Sequence, residues 1–527
     1  MIDHKTKKLR VNHNEWILGL LLLLLVILVR LPSIPQPFDN DSGASAYHAQ
    51  LILQGEPLYG THHPGHVLPG IYYTYAFVFS LFGKNTQALK IFLIGWVWVN
   101  SWLMFQIGKR VKDWPAGVFA AIFFILASAS TAVAGDTGET EMFANLPITL
   151  TIWLGIELIR KRSHPLAFTL VGISGAISFL YKPVYISSLA SICLGLFLFH
   201  LMEYSRKSWL ELAQKAIAIL LGVLLVFGLV IAYFTSVGFL SRFLLAITLG
   251  SEYISQTNTV PFYFTFLIAP ILLARANIMI VLLGIYGAIR QSVTLPQTLK
   301  SDRNSGIISI TILLWLITSI VAAGFSKLSF PHYSLLALPP LALLSSIEIS
   351  TLFINFQPNQ FVLTSRKVLI GIALLLAVLI TSIFSARDYI GGFLRYSASQ
   401  ISLEEFVSED TMMGIDRINA VHIAEYIQTH TNLDDYIFNW TDEAEIYFLS
   451  GRRSSSDSIL PIYISRLGPP ERVFTAKPKY ILVGRVLMTG IYFDRNVIPN
   501  WLLEELTKSY QLETTLGNHQ IYRRNRP

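Results

Sequence analysis

Acidic side chains are scarce in the apolar part of this 527-residue chain, so two short clusters stand out: Asp39, Asp41 and Glu56 in one segment, and Asp136, Glu139 and Glu141 in another. A carboxylate beside a bound hydroxyl serves as a general base, and carboxylates from two loops hold a divalent cation such as Mg or Mn. The same acids also suit helix caps on a solvated loop. Basic groups able to neutralise a departing phosphate recur nearby: Lys90, Lys182, Lys327 and, inside an apolar stretch, Arg275. A buried guanidinium needs a partner. A lipid phosphate would accept its planar pair of hydrogen bonds, and snorkelling to the interface would satisfy it equally well. His62, His63 and His66 surround Pro64-Gly65 in a spacing that fits no standard zinc site, and His332-Tyr333 follows Pro331.

Other chemistry is disfavoured. The single cysteine, Cys193, falls in an apolar run and reads as packing, so the chain has no internal disulfide and no cysteine metal site. There is no Gly-rich phosphate loop ending in Lys-Ser or Lys-Thr, no nucleophile elbow and no HExxH helix, which argues against nucleotide-driven pumping and against serine or zinc hydrolysis.

The elements that must position these residues are membrane helices. With 53% hydrophobic and 14% charged residues and a mean hydropathy of +0.52, the chain falls in the membrane class. Eleven apolar runs lie near 16–29, 88–108, 115–134, 143–159, 166–181, 184–201, 213–235, 275–289, 306–323, 333–348 and 368–385. The first follows basic residues like a signal peptide but lacks a small-residue cleavage site, so it reads as an uncleaved helix. The net charge of +7 is spread over short loops rather than along a groove, a topology signal and not a nucleic-acid surface. Lys109, Arg110, Lys112, Arg160 to Arg162, Arg206, Lys207, Arg290, Lys300, Arg303, Arg366 and Lys367 are all cytoplasmic together if Leu68 to Phe82 does not cross but lies on the outer surface.

That topology gives a cytoplasmic N-terminus, a transmembrane domain over 1–386 with a first outer loop at 31–87, and both acidic clusters on the outer face. Within the first loop, Asp41 to Leu53 has helical spacing behind an Asp or Ser cap. The remaining 387–527 reads as a small extracytoplasmic α/β domain, with strands at Tyr436 to Trp440 and Tyr480 to Val483 and amphipathic helices near 417–430 and 499–509.

Several segments carry a resemblance. Asp41-Ser42-Gly43, Ala46-Tyr47-His48-Ala49-Gln50, Gln54-Gly55-Glu56-Pro57-Leu58-Tyr59 and Leu68-Pro69-Gly70-Ile71-Tyr72-Tyr73 are followed by Thr140-Glu141-Met142-Phe143, Tyr181-Lys182-Pro183, Phe330-Pro331-His332-Tyr333, Leu338-Pro339-Pro340 and Asn439-Trp440. Together they resemble bacterial membrane glycosyltransferases of the GT-C fold class, related to protein O-mannosyltransferases and lipid A aminoarabinose transferases (glycosyltransferase family 39-like). The resemblance implies an all-α polytopic membrane domain in a bacterial inner membrane, and transfer of a sugar from a polyprenyl-phosphate donor to a lipid, glycan or protein hydroxyl. By motif it assigns Asp41 as base and Glu141 as second-loop acid, the pair that would hold a divalent cation if one is used. Asp39, His66, Lys90, Tyr181, Lys182, Arg275, Lys327, His332 and Tyr333 are the expected substrate contacts. Where the family often has Asp-Glu and Lys-Pro-Pro, this chain has Asp41-Ser42 and Val67-Leu68-Pro69, so His66 or Lys90 is expected to replace the missing cation. A transporter or flippase of a lipid-linked or anionic substrate is the competing reading, though it leaves the confinement of acids to two loops unexplained.

Overall fold

The computed structural model describes residues 13–161, 163–203, 205–256, 262–325, 330–353, 366–409, 414–484, 487–488, 491–492 and 498–525; Lys327 lies outside them. The apolar runs close their backbone hydrogen bonds within themselves as helices, as a bilayer requires. In chain order the membrane half contains α1 (His13–Arg30), α2 (Asn40–Leu53), α3 (Pro69–Phe82), α4 (Thr86–Val111), α5 (Trp114–Ser128), α6 (Thr140–Arg160), α7 (Thr169–Phe179), α8 (Ser187–Glu203), α9 (Arg206–Ser236), α10 (Leu240–Gln256), α11 (Phe262–Ser301), α12 (Arg303–Gly324), α13 (Leu338–Phe353) and α14 (Arg366–Ser397). Among the described residues eight helices are long and apolar enough to cross a membrane, and three shorter apolar ones, α5, α7 and α13, complete the expected eleven.

α3 is not one of those eleven. It buries Tyr75 and Val78 and exposes Phe77, Leu81 and Phe82, the two-sided character of a helix lying along an interface. Between the apolar runs that end at 235 and begin at 275, the described residues form α10 and the first part of α11. α11 breaks at Asn277 (φ −160°, ψ 101°). The freed backbone is satisfied locally, because Asn277 Oδ1 accepts from Ile280 N (3.0 Å) and its amide donates to the Val378 carbonyl of α14 (2.9 Å).

Charge is sorted along the bundle. Lys109 pairs with Glu15, Arg110 and Lys161 with Glu157, and Arg290 with Glu348, which gathers the basic loops at one end. Glu141 begins α6 and Glu157 lies near its other end, about 24 Å away at a helical rise of about 1.5 Å per residue. The second acidic cluster therefore lies at the end opposite the basic loops.

The C-terminal half comprises α15 (Leu403–Ser408), α16 (Gly414–His430), β1 (Tyr436–Trp440), α17 (Glu445–Ser450), β2 (Arg453–Ser454), α18 (Pro461–Leu467), β3 (Tyr480–Val483), β4 (Leu487–Met488), β5 (Ile491–Tyr492), α19 (Asn500–Ser509), β6 (Tyr510–Leu516) and β7 (His519–Arg524). A five-stranded sheet runs β2-β1-β3-β7-β6, parallel across β2, β1 and β3 and antiparallel through β7 and β6. β3 is buried along its whole length and β1 nearly so, as expected of strands covered on both faces. One face packs under α18 and α19. The other is covered by α16 and α17 together with Ala44, Tyr47 and Leu51 of α2. A helix of the first loop is thus part of the C-terminal core, and Gly43 lies so close to Glu445 that any Cβ there would overlap it.

Candidate active site

Asp39 ends its extended backbone at the start of α2 and caps the helix, accepting from Ser42 N (2.7 Å) and Ser42 Oγ (3.0 Å). The expected substrate contact Asp39 is therefore engaged as a buried cap. Ser42 Oγ also accepts from Gly138 N (3.1 Å), and Tyr75 OH donates to the Gly138 carbonyl (2.8 Å), so the cap of one acidic loop is bonded to the backbone of the other. Asp41, in the first turn of α2, keeps an accessible carboxylate although protein surrounds it. Burial, reinforced by Asp39 and opposed by Lys182, raises its pKa to about 6.

The second loop places Glu139 immediately before α6 and Glu141 in its first turn, where the helix N-terminus favours negative charge. Asn145 of α6 donates to the Leu335 carbonyl (3.1 Å), which seats the short turn carrying His332 against α6. One donor atom from each of Asp41, Glu139 and His332 lies within 4.8 Å of the others. Burial, with Asp41 adding to it, holds the Glu139 carboxyl well above the usual range, and burial lowers His332 to about 4.

Glu141 is fully buried and occupied on one side: Oε1 accepts from Lys182 Nζ (2.6 Å) and from Tyr185 OH. Its Oε2 has no protein donor among the described residues. Lys182 is extended before Pro183 and lies 4.4 Å from the centre of the Tyr333 ring. Burial pushes its pKa down, but Glu141, with Glu139 and Asp41, together more than offset that and raise it. The adjacent Tyr181 hydrogen-bonds Thr74 (2.8 Å), and both line an open, mostly apolar groove of about 300 Å³ together with Tyr73, Phe77, Phe92 and Trp96.

Two expected contacts lie away from the cluster. Lys90 is buried and donates to the Asp136 carbonyl, while the Asp136 carboxylate pairs with Arg417 of α16 (3.0 Å); this network fixes the second loop instead of facing the cluster. Arg275 is exposed beside the break in α11, and among the described residues its guanidinium makes no ion pair with the carboxylates. His66 does reach the site's edge: it hydrogen-bonds Tyr463 of α18, and burial and Lys182 lower its pKa to about 3. Glu139 belongs to the second acidic cluster visible in the sequence, whereas Tyr185, two residues after Tyr181-Lys182-Pro183, is not among the expected residues. The signal for Tyr185 was the short turn that Pro183 opens.

The chain belongs to the family described as "Putative competence-induced protein Ccs4 N-terminal domain", which it matches over residues 3–383, and it matches the Ccs4 C-terminal domain over 419–525. No curated protein gives a match to the sequence. Among solved structures it is similar to ArnT from Cupriavidus metallidurans bound to undecaprenyl phosphate (TM-score 0.61, 13% identity, 97% of this chain and 98% of that one). It is also similar to the oligosaccharyltransferase AglB from Archaeoglobus fulgidus with an inhibitory peptide and a dolichol-phosphate (0.52, 12%, 89% and 69%) and in a complex with Zn and sulfate (0.50, 12%, 88% and 67%). The fold is GT-C.

Proposed function

Taking a Ccs4-family chain with a GT-C fold as the premise, we propose a bacterial inner-membrane glycosyltransferase that moves a sugar from a polyprenyl-phosphate donor to an acceptor hydroxyl on the extracytoplasmic side. The observation that carries this reading is a juxtaposition. Tyr181 lines an apolar groove, and the next residue in the chain, Lys182, pairs its ammonium with Glu141 of the second acidic loop. A lipid chain in the groove would bring its phosphate to Lys182, and the anomeric carbon would then meet Asp41. The similar structures were solved with undecaprenyl phosphate on ArnT and dolichol-phosphate on AglB, which agrees with such a donor.

In this scheme the acceptor oxygen forms the new bond to the anomeric carbon as the bond from that carbon to the phosphate oxygen breaks. The acceptor proton passes to Asp41, and the electron pair leaves with the polyprenyl phosphate, whose charge Lys182 neutralises. In-line displacement inverts the anomeric configuration. Glu141 holds Lys182 and, with Tyr185, fixes where its charge points.

The donor set also fits a divalent cation. Ligand atoms around one small ion stand about 3 to 4 Å apart, comparable with the spread within Asp41, Glu139 and His332, and the Glu141 Oε2 left without a donor lies on the same loop. The pair expected from sequence was Asp41 with Glu141; the structure groups Asp41 with Glu139 and His332 and gives Glu141 to Lys182. When bound, a cation would add positive charge for the leaving phosphate.

Purified protein in sealed vesicles, supplied outside with undecaprenyl-phosphate-linked radiolabelled sugars, separates the two readings. Label recovered on an acceptor or as free sugar, with undecaprenyl phosphate released, supports transfer; label carried inside on intact donor supports a transporter and overturns the enzyme.

A further inference from the structure

A second cavity, of about 290 Å³, lies where α2 meets the C-terminal domain. Its α2 wall consists of Tyr47, Gln50, Leu51 and Gln54, which follow i, i+3, i+4 and i+7 spacing and so share one helix face. At about 100° per residue that face lies roughly 130° round the helix from Asp41, and Gln54 is about 20 Å further along the axis. The cavity is separate from the reaction centre and does not depend on the transferase reading.

The opposite wall is basic. Gly451 ends α17 at φ +68°, the left-handed turn that glycine permits, and the next two residues, Arg452 and Arg453, line the cavity. Arg452 is only 6% exposed. Its guanidinium donates to Thr431 Oγ1 (2.7 Å) and to the carbonyls of Ser450 (2.8 Å), Thr431 (2.9 Å) and Gln428 (3.3 Å). All four acceptors are neutral, and among the described residues Arg452 makes no ion pair with a carboxylate. Asp435 of the neighbouring turn is engaged elsewhere, by Lys479 (2.8 Å) and Asn432 N (2.8 Å). Gln428 and Ser450 lie in the last turns of α16 and α17, whose dipoles offset part of the charge. A buried cation still lacks an ionised partner, and that is costly. Arg453 is half-exposed, pairs with Glu56 (2.7 Å) and lies 3.4 Å from Gln54 Oε1, so it reaches across to α2. Among the described residues no acid lines the cavity.

These walls define a ligand. Guanidinium groups offer a planar, charge-assisted fork to a carboxylate or phosphate. The Gln50 and Gln54 amides both donate and accept, as ring hydroxyls require, and Leu51 and Leu433 add apolar faces. The volume is at the lower end for small-molecule sites and more than a bare oxyanion fills. We propose that this cavity binds a saccharide bearing a carboxylate or a phosphate, with Arg452 and Arg453 on the oxyanion and Gln50 and Gln54 on the hydroxyls. Occupancy ties α2 to the C-terminal domain.

The test is calorimetric titration of the full-length protein in phosphatidylcholine nanodiscs with glucose 6-phosphate, glucuronate, inorganic phosphate and glucose. At least one of the two anionic sugars should bind about tenfold more tightly than glucose and than inorganic phosphate, and the tighter of the two identifies the oxyanion. Arg453→Gln should weaken that binding about tenfold. Arg452 also holds two helix ends, so the second variant is Gln50→Leu, on the α2 face of the cavity, which should weaken it about threefold. Binding of neither anionic sugar overturns the proposal, as does glucose or inorganic phosphate binding as tightly as the better of them. Binding kept at full strength by both variants also overturns it, the result expected if the anion sits at Lys182 instead.

Discussion

Asp41 and Glu141 both sit in the first turn of a helix, and their neighbours divide the work between them. Asp41 is accessible, with a pKa raised to about 6 by burial and Asp39, so it is an effective base near neutrality and is lost as one when the pH falls through that value. Transfer without added divalent cation should therefore decline below about pH 6, and Asp41→Asn, which keeps size but not basicity, should cost about 10² to 10⁴ in rate at normal membrane abundance. A flat pH profile with an active Asp41→Asn protein would remove it from the mechanism. Lys182→Met leaves Glu141 buried without its partner (2.6 Å) and should lower stability by about 3 to 5 kcal/mol, read as a fall in melting temperature that adding Glu141→Gln partly restores. Glu139→Gln should weaken Mn binding measured by electron paramagnetic resonance; unchanged binding would exclude the Asp41, Glu139 and His332 set. Residue types and motifs made Asp41, Glu141, Lys182, His332 and Tyr333 legible in sequence, because each stands beside a helix start or a proline-defined turn. Nothing local reveals that Lys90 donates to the Asp136 carbonyl across the fold, or that Arg417 pairs with the carboxylate of the same residue.

At the scale of elements, α2 belongs to two domains. Its Asp41 faces the site, and its Ala44, Tyr47 and Leu51 complete the core under the C-terminal sheet. The loop after it docks through histidines: His62 bonds the Ser456 carbonyl (2.8 Å), His63 N donates to the Asp457 carbonyl (2.7 Å), and His66 bonds Tyr463. Burial lowers His62, lowers His63 to about 4 and, together with Lys182, lowers His66 to about 3. Between those values and the unfolded value of about 6.5, the undocked loop binds more protons than the docked one, so stability rises with pH across that window and is lost as pH falls through it. Limited proteolysis should accordingly cut the segment around 60–66 much faster at pH 4.5 than at pH 7; equal rates would show that docking does not depend on neutral histidines. Periodicity revealed α2, β1, β3 and α19 within a residue or two, as their patterns are local. It did not reveal α10, α18 or the break at Asn277, because apolar residues in those stretches are explained only by the neighbours they pack against.

Over the whole molecule, the basic loops and the acidic loops occupy opposite ends of one bundle, and the C-terminal domain closes over the acidic end through Arg417, which bonds both Gln36 (2.5 Å) and Asp136 (3.0 Å). Arg417→Ala should loosen both acidic loops at once, lowering transfer while leaving the transmembrane helices folded by circular dichroism; Arg417→Lys, with one charge but no planar fork, should recover part of the rate. Hydrophobic runs and loop charges were enough to count the helices and place the acids, whereas the closure depends on contacts between residues nearly 400 positions apart. The proposed transfer requires that a polyprenyl-phosphate sugar be cleaved by this protein. Mass spectrometry of undecaprenyl-phosphate-linked hexoses incubated with the purified protein should show undecaprenyl phosphate accumulating with wild type and at least 100-fold more slowly with Asp41→Asn. Intact donor throughout, or equal release by both proteins, would contradict it.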